Sequence, residues 1–501
     1  MRCDMKYLLM LLVVCMNVLA LEPGEVAVVY NADSPLSKAA ALRYCSVRRI
    51  PRDQLLPVYG VKRGDITRDE FDGMVTSLLA QARSRGLMWP AGPRNGRKLM
   101  RVMVLMPDMP LRIKESTPAG QQPATGMRRN EAALDSELML LGSRYPLNGR
   151  LNNPHYRKDY PSGREPQRVM MVCRIDGPNE ECIYRMINDP ADVERFGLWG
   201  WVLVDQGGPY PQGDALMKRV AALAQERHQP LFYETSRSTL ADAFPLMQQV
   251  GVYFGWYIRN ANGPFGASAP ADFRFARGAI ASHLHSFSAI SLYDGKSWVS
   301  ALLKRGACVT AGNVSEPYLD ACLNYGVFYE HLLAGAQVGE AALQATPFVS
   351  WQEIVLGDPL YRPFPRNAVS GGGNPYAAWR DLCRRANGNL QALQAAVEQK
   401  RNSPHAAVYA EMLAWHCTEL KQYEQASAYF KLAERRYSRS RDKLRVAIMQ
   451  ASTMAAAGDV EGAKAAFLIL LDEFARSPHL PALRKAAQAV GVEINQNAPA
   501  S

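Results

Sequence analysis

Gly306-Ala-Cys-Val-Thr-Ala-Gly-Asn-Val-Ser-Glu-Pro-Tyr318 is the stretch of this 501-residue sequence that decides the fold. A short apolar run bounded by glycines predicts a buried strand, and the turn that follows is rich in Gly, Asn and Ser. In an open α/β sheet, such turns carry the groups that face a ligand. A second turn, Val355-Leu-Gly-Asp-Pro-Leu360, closes the same region, which runs over residues 250–363.

The same alternation of strands and helices extends towards the N-terminus. Residues 26–30 and 101–106 are apolar runs that predict buried strands, and Thr67 stands at capping-box spacing from Glu70 at the start of a helix. Strands that alternate with helices of this length are typical of βαβ units. The sequence therefore predicts an α/β domain over residues 21–364, with a mostly parallel, doubly wound sheet.

One long segment, residues 107–167, interrupts this alternation. It is rich in Pro, Gly, Asn and Arg, and a connection of this length is usually either functional or disordered. Its short ordered motifs favour a lid or a binding surface over disorder. Arg112, Asp135 and Glu137 are its candidate binding residues.

The C-terminal part of the sequence has a different character. Residues 365–375 contain three consecutive glycines and predict a linker, and residues 376–501 are predicted to be helical. Glu424-x-Ala-x-Ala-x-Phe430 recurs 37 residues later as Glu461-x-Ala-x-Ala-x-Phe467. Small residues beside one large aromatic predict tetratricopeptide-like helical hairpins, and a plain helical bundle is the alternative.

The N-terminus predicts a signal peptide over residues 1–20. Arg2 and Lys6 precede a short apolar run, and small Ala20 stands at the expected cleavage point. A membrane anchor is the alternative, although the run is short for a membrane span. The sequence therefore predicts an exported protein, periplasmic or extracellular, with no transmembrane segment after cleavage.

Charge and cysteine content limit the partners and cofactors. Loss of Arg2, Lys6 and Asp4 with the leader lowers the net charge from +11 to +10. The arginines are scattered and the protein is predicted to be exported, so we expect no nucleic-acid partner. Of nine cysteines, seven remain after cleavage, and Cys173 and Cys182 are either a disulfide or two buried thiols. Because no Cys-x-x-Cys or His-x-x-x-His pair is present, we predict neither a metal site nor a cofactor.

Motifs spread over residues 24–364 resemble an uncharacterised family of exported bacterial proteins that has no established activity. The motifs that carry this resemblance are Val26 to Asn31, Arg43-Tyr44, Arg49-Ile-Pro51, Pro110-Leu-Arg-Ile113, Asp135-Ser-Glu137, Asn153-Pro154, Gly255-Trp-Tyr257, Ser315-Glu-Pro-Tyr318 and Leu356-Gly-Asp-Pro359.

The last third of this region resembles the gingipain-type peptidases, which have a caspase-like fold. Those enzymes place a Gly-His-Gly after one strand and a catalytic Cys after the next. Here the first position is Gly255-Trp-Tyr257 and the second is Ser282-His-Leu-His-Ser286. The resemblance therefore implies the fold but supplies neither half of the catalytic dyad.

Three hypotheses follow. In the first, a caspase-like scaffold without peptidase chemistry serves binding, with a cleft formed by Trp256, Tyr257 and the 107–167 segment. In the second, the protein is a hydrolase with a non-standard nucleophile. In the third, the chain is an assembly component that docks a protein partner through its C-terminal helices. The candidate catalytic residues for the second hypothesis are Ser286 or Cys308 as nucleophile, His283 or His285 as base, and Asp205 or Glu316 as orienting carboxylate.

Overall fold

A computed structural model describes residues 20–88, 98–117, 124–143, 149–158, 169–235, 247–266, 273–366 and 373–494 of the chain. All but the last residue of the predicted signal peptide, and most of the predicted linker, lie outside these ranges. The chain divides into two compact units. Unit 1 takes in the segments Met1–Leu198, Tyr210–Val220 and Arg277–Ala368, and unit 2 takes in Trp199–Pro209, Ala221–Ala276 and Val369–Ser501.

The strands, in chain order, are β1 (Val26–Asn31), β2 (Leu55–Val58), β3 (Asp65–Ile66), β4 (Val102–Leu105), β5 (Arg112–Ile113), β6 (Ala132–Ala133), β7 (Leu151–Asn152), β8 (Met171–Arg174), β9 (Trp201–Asp205), β10 (Leu231–Glu234), β11 (Val250–Trp256), β12 (Phe275–Leu284), β13 (Thr310–Asn313), β14 (Phe348–Val349) and β15 (Glu353–Leu356).

The α-helices are α1 (Pro35–Arg48), α2 (Arg68–Ser84), α3 (Leu134–Leu138), α4 (Glu180–Val193), α5 (Pro211–Glu226), α6 (Trp298–Lys304), α7 (Tyr325–Leu333), α8 (Val338–Ala345), α9 (Pro375–Ala386), α10 (Leu390–Gln399), α11 (Ala406–Glu419), α12 (Tyr423–Arg436), α13 (Ser440–Ala456), α14 (Val460–Glu473) and α15 (Leu480–Ala489).

Unit 1 contains a six-stranded sheet in the order β13-β15-β8-β4-β1-β2. Neighbouring strands are parallel from β2 to β15, whereas β13 pairs with β15 in the antiparallel sense. The inner strands β4 and β8 are buried along their whole length, which explains why they appear in the sequence as continuous apolar runs. The α/β class is thus confirmed, and the sheet is mixed because of its one antiparallel edge strand.

Local signals place the first helices of unit 1. The side chain of Ser34 accepts a hydrogen bond from the backbone N–H of Ser37 and begins α1. Thr67 and Glu70 form a reciprocal capping box at the start of α2, as predicted. These caps fix the residue at which each helix begins.

Unit 2 contains a smaller parallel sheet in which β9 lies between β10 and β11. Its C-terminal part consists of α9 to α15, whose successive members pack against one another, so a helical C-terminal region is confirmed. The two recurring motifs lie on α12 and α14, where Ala426, Phe430, Ala463 and Phe467 are all buried. The 37-residue spacing therefore places equivalent residues at equivalent packing positions.

Among the helices in the described residue ranges, none combines the length and the apolar character that crossing a bilayer requires.

All seven described cysteines are buried free thiols, Cys173 and Cys182 among them. We therefore expect seven alkylated thiols when the protein cleaved after Ala20 is unfolded in iodoacetamide without reductant and weighed intact. Burial raises the pKa of the Cys173 and Cys308 thiols, so the native protein should react far more slowly. Five adducts would instead reveal a disulfide, and a Cys182→Ser variant would then give six adducts if Cys182 takes part in it and four if it does not.

Candidate functional site

The carboxyl edge of the six-stranded sheet contains a point where the strand order reverses. The chain passes from β1 to β2 on one side, and β4 then lies on the other side of β1. Loops that leave such neighbouring strands diverge, and the crevice between them is the usual ligand position in open α/β sheets. We call this place the switch-point edge, formed by the loops after β1 and β4.

Hydrogen bonds from polar side chains join these two loops. Asn31, the last residue of β1, donates hydrogen bonds from Nδ2 to the carbonyl oxygens of Asp108 (3.0 Å) and Val61 (3.2 Å). Ser34 Oγ donates to Asp108 Oδ2 at 2.5 Å. Asp108 has a φ of 65°, a left-handed conformation that non-glycine residues rarely adopt. The network therefore holds Asp108 in a backbone conformation that its own preferences disfavour.

A buried ion pair lies next to this loop. Arg174 ends β8 with no exposed side-chain surface, and its Nη2 lies 2.5 Å from Asp135 Oδ2. It also donates to the carbonyl oxygens of Met109 (3.2 Å) and Pro110 (2.7 Å). Arg174 thus joins β8, the loop after β4 and α3 beneath the switch-point edge.

Asp176, two residues beyond β8, is fully buried. Its carboxylate accepts hydrogen bonds from Tyr293 Oη (2.8 Å) and from the Gly177 N–H (2.8 Å), and Arg174 Nη1 lies 3.6 Å away. Burial raises the pKa of Asp176 to about 6, because Arg174 and these hydrogen bonds only partly offset the loss of water. A carboxyl group with this pKa exchanges its proton near neutral pH.

Two exposed side chains complete the edge. The guanidinium of Arg63 lies 4.4 Å from the ring centroid of Tyr293 and forms an ion pair with Asp108. Half of the Arg63 side chain is exposed, and Tyr59, in the same loop, is 71% exposed. We call Tyr59, Arg63 and Tyr293 the edge patch.

The predicted binding residues of the 107–167 segment lie close to this edge and are engaged in internal contacts. Arg112 pairs with Asp65 (2.7 Å) and donates to the carbonyl oxygen of Val314 (3.1 Å). Asp135 holds Arg174, as described. Glu137 accepts from Arg68 Nη1 (2.7 Å) and from Ser350 Oγ (2.6 Å). In the structure, the ion pairs and hydrogen bonds of these three side chains hold the segment against the rest of unit 1.

The candidate nucleophile Cys308 lies far from the candidate base His285. The Cys308 N–H donates to the carbonyl oxygen of Ala279 (2.8 Å), so Cys308 is level with that residue of β12. His285 lies six residues further along, roughly 20 Å at the rise of an extended strand. Burial raises the pKa of the Cys308 thiol to about 12. This cysteine is therefore a protonated thiol remote from the histidines.

The remaining catalytic candidates of unit 1 lie in the last residues of β12 or after β12 and β13, with His283 inside β12. His283 is fully buried and its ring stacks on Trp298 with centroids 3.5 Å apart. Its pKa lies well below the usual value, first because of burial and second because of His285. Ser286 is half-buried in the loop that follows β12. Glu316 accepts a hydrogen bond from the backbone N–H of Tyr318 (3.0 Å) and thereby closes a turn.

Unit 2 has a switch point of its own, between β9 and β11. Asp205 ends β9, and Trp256 ends β11; both are buried, while Tyr257 is half-buried. Gly208 packs directly on Trp256, because a Cβ at this position would lie 2.2 Å from the indole. The structure thus places Asp205, Trp256 and Tyr257 at strand ends in unit 2.

A second buried carboxyl group lies at the start of β15, near the edge of the six-stranded sheet that β13 forms. Glu353 begins β15 directly opposite Asn313 of β13, and its Oε2 accepts from the Leu323 N–H at 3.2 Å. Burial raises its pKa to about 8. Cys322 Sγ lies 3.5 Å from Asn313 Nδ2, and its pKa is raised well above the usual value by burial and then by Glu353. The carboxyl and the thiol are therefore both neutral at pH 7.

Sequence reasoning missed Arg63, Arg174, Asp176 and Tyr293. One signal was available: Arg174-Ile-Asp176 follows directly on the apolar run of residues 169–173, and polar groups at the ends of strands commonly face a ligand in α/β sheets. Among the residues that the structure describes, no three His, Cys, Asp or Glu side chains are grouped so that they could hold a metal ion.

Comparisons of the chain with family models, with curated proteins and with solved structures found no match in any of the three.

Proposed function

We propose that this protein is an exported binding protein, a caspase-like scaffold without a peptidase dyad, whose edge patch contacts a protein partner. The observation that carries the proposal is the arrangement of Arg63, which is half exposed yet held by Asp108 and the Tyr293 ring. Tyr and Arg are the residue types enriched at interaction hot spots, and a preorganised side chain loses less entropy on binding. Tyr59 adds an exposed aromatic surface in the same loop.

The chemistry of the candidate nucleophiles supports binding over peptide cleavage. A cysteine nucleophile needs a thiolate beside a base, in an environment that lowers its pKa. Cys308, the candidate cysteine nucleophile, is in an environment that raises the pKa of its thiol. Gly255-Trp-Tyr257 and Ser282-His-Leu-His-Ser286 also lack the residues of the gingipain-type dyad.

The C-terminal helices supply a second contact surface in this proposal. Their recurring motif supports a tetratricopeptide-like arrangement, and such repeats commonly bind other proteins. On α14, Leu468 is 57% exposed and Ile469 is 66% exposed. Adjacent exposed aliphatic side chains on one helix favour a protein partner over a small polar ligand.

A photo-cross-linking experiment in producing cells tests the edge patch. Benzoylphenylalanine in place of Tyr59 is expected to give one cross-linked product of discrete mass, because an exposed hot-spot residue lies against its partner. Arg63→Ala is expected to reduce this product at least about tenfold. Benzoylphenylalanine in place of Tyr210, which is 52% exposed in unit 1, is the matched control. Equal products at both positions, or a product insensitive to Arg63→Ala, would contradict the proposal.

The alternative function, a hydrolase with a non-standard nucleophile, is favoured by one observation. Asp176 lies after β8, next to the switch-point edge, and its pKa of about 6 suits a general acid or base at neutral pH. Turnover of a fluorogenic peptide library separates the two functions. We expect none from the protein cleaved after Ala20. Turnover that Ser286→Ala, Cys308→Ala or Asp176→Asn abolishes would replace the binding proposal with the hydrolase.

A further inference from the structure

A groove in unit 1 runs along α2 and is half open to solvent. Its volume is about 520 Å³. From α2 it is lined by Phe71, Val75 and Leu79, which are four residues apart and therefore lie along one face of the helix. The turn after α3 adds Leu140 and Leu141. The volume lies within the range of ligand-binding sites and is roughly three times that of a cavity that holds benzene.

Part of the apolar lining of this groove is accessible to a partner. Val75, Leu79 and Leu151 are half-buried, whereas Leu140 and Leu141 are buried. A partner that covers the half-buried side chains gains free energy by removing aliphatic surface from water. The middle of the groove therefore favours an apolar occupant.

The charged residues of the groove have a definite arrangement. Arg68 and Glu137 form a buried ion pair (2.7 Å) and together contribute no net charge. The other charged residues among the described lining are Asp72 and Arg83, and both are exposed. Eleven residues separate them on α2, which is about three helical turns, so they lie on the same face about 16 Å apart along the axis. The groove thus has a negative and a positive group with aliphatic residues between them.

We propose that the groove along α2 binds an extended segment of a protein partner, in which aliphatic side chains stand between a basic and an acidic residue. The basic residue faces Asp72 and the acidic residue faces Arg83, so charge complementarity selects the segment. An amphiphile with a single charge, such as a fatty acid, would leave one of these two groups without a counter-charge.

The length of the groove sets the length of the segment. An extended chain rises about 3.3 Å per residue and turns alternate side chains to one face. Positions 1, 3, 5 and 7 of such a segment span about 20 Å, and the long Arg83 side chain covers the difference from the spacing on α2. The groove shares no described lining residue with the edge patch, so its test is independent of the photo-cross-linking test.

Calorimetric titration of the protein cleaved after Ala20 with short peptides tests this proposal. The probe is Lys-Ser-Leu-Ser-Leu-Ser-Glu, acetylated and amidated so that its two end side chains carry its only charges. At low ionic strength, we expect it to bind at least about fivefold more tightly than the same peptide with Lys at both ends or Glu at both ends. Replacement of both leucines by serine should weaken binding at least about tenfold, because the aliphatic burial is lost. Failure of the probe to bind at about 1 mM, or equal binding of the three charge forms, would overturn the proposal.

Charge variants then locate the site. Asp72→Lys should make the peptide with two Glu ends the tightest binder, and Arg83→Glu should do the same for the peptide with two Lys ends, since each variant leaves two like charges beside the groove. Both side chains are exposed, so both variants should fold. Asp69→Lys makes the same charge change at an exposed position of α2 outside the described groove lining, and it should keep the wild-type order of affinities. An unchanged order in Asp72→Lys, or the same reversal in Asp69→Lys, would contradict the assignment.

Discussion

Glu353→Gln is expected to raise the free energy of unfolding of unit 1 by about 5 kcal/mol at pH 9 and to leave it nearly unchanged at pH 4. Burial raises the pKa of this carboxyl from 4.5 to about 8. The folded protein therefore keeps a proton that the unfolded chain has released, and stability is lost as the pH rises from 4.5 through 8. At 1.36 kcal/mol for each pH unit, the full cost above pH 8 is about 5 kcal/mol.

The side-chain amide that Glu353→Gln introduces still accepts the hydrogen bond from the Leu323 N–H, and it carries no charge at any of these pH values. Urea denaturation at a series of pH values, with hydrogen exchange of the β15 amides as the local readout, measures the difference between the two proteins. Glu330→Gln, an exposed carboxylate on α7, should change stability by no more than about 0.5 kcal/mol. A wild type and a Glu353→Gln variant with parallel pH profiles would show that Glu353 is ionised in the folded protein.

Arg174→Ala is expected to lower the free energy of unfolding of unit 1 by about 3–5 kcal/mol. The substitution leaves Asp135 and Asp176 buried without their cation, and it removes the donors to the carbonyl oxygens of Met109 and Pro110. Because Asp176 then loses its nearest positive charge, the destabilisation should be larger at pH 8 than at pH 5. The same denaturation assay, read at the β8 amides, measures it.

Two controls separate charge burial from general damage at Arg174. The double variant Arg174→Met, Asp135→Leu should recover at least half of the loss at pH 5, since apolar residues of similar volume replace the buried ion pair and only Asp176 remains without its cation. Arg277→Met breaks ion pairs with Asp192 and Asp189, but the Arg277 side chain is itself 64% exposed, so the cost should stay below about 1 kcal/mol. A loss at Arg174 as small as that at Arg277 would contradict the account of the switch-point edge.

The two buried carboxyl groups differ in what surrounds them. Asp176 has Arg174 at 3.6 Å and a tyrosine hydroxyl at 2.8 Å, and its pKa stays near 6. Glu353 receives one backbone hydrogen bond, and its pKa rises to about 8. Because Arg174 partly offsets the effect of burial on the pKa of Asp176, this carboxyl group changes its protonation state near neutral pH. This property, beside an exposed Arg and Tyr, is why the switch-point edge is the best-supported site in unit 1.

Local sequence patterns predicted much of the secondary structure. The Thr67 and Glu70 capping box and the buried positions of the 37-residue motif both appear in the structure. One boundary differs: the apolar run that follows Gly306 predicts a buried strand, but β13 begins only at Thr310, because Val309 makes only an isolated bridge to Ile280. The residue at which a strand begins depends on the strands that it pairs with, and a local sequence pattern does not contain that information.

The sequence by itself determined the α/β class, the helical C-terminal region and the helix caps, since apolar periodicity and capping act over a few residues. Only the tertiary structure decided which polar groups meet. Tyr293 and Asp176 are 117 positions apart in the chain, and Ser34 and Asp108 are 74 apart. Strand order brings these pairs together, and it follows from long-range burial of apolar faces. For the same reason, residues 199–209 and 221–276 join the C-terminal helices in one compact unit, which no short-range pattern along the chain specifies.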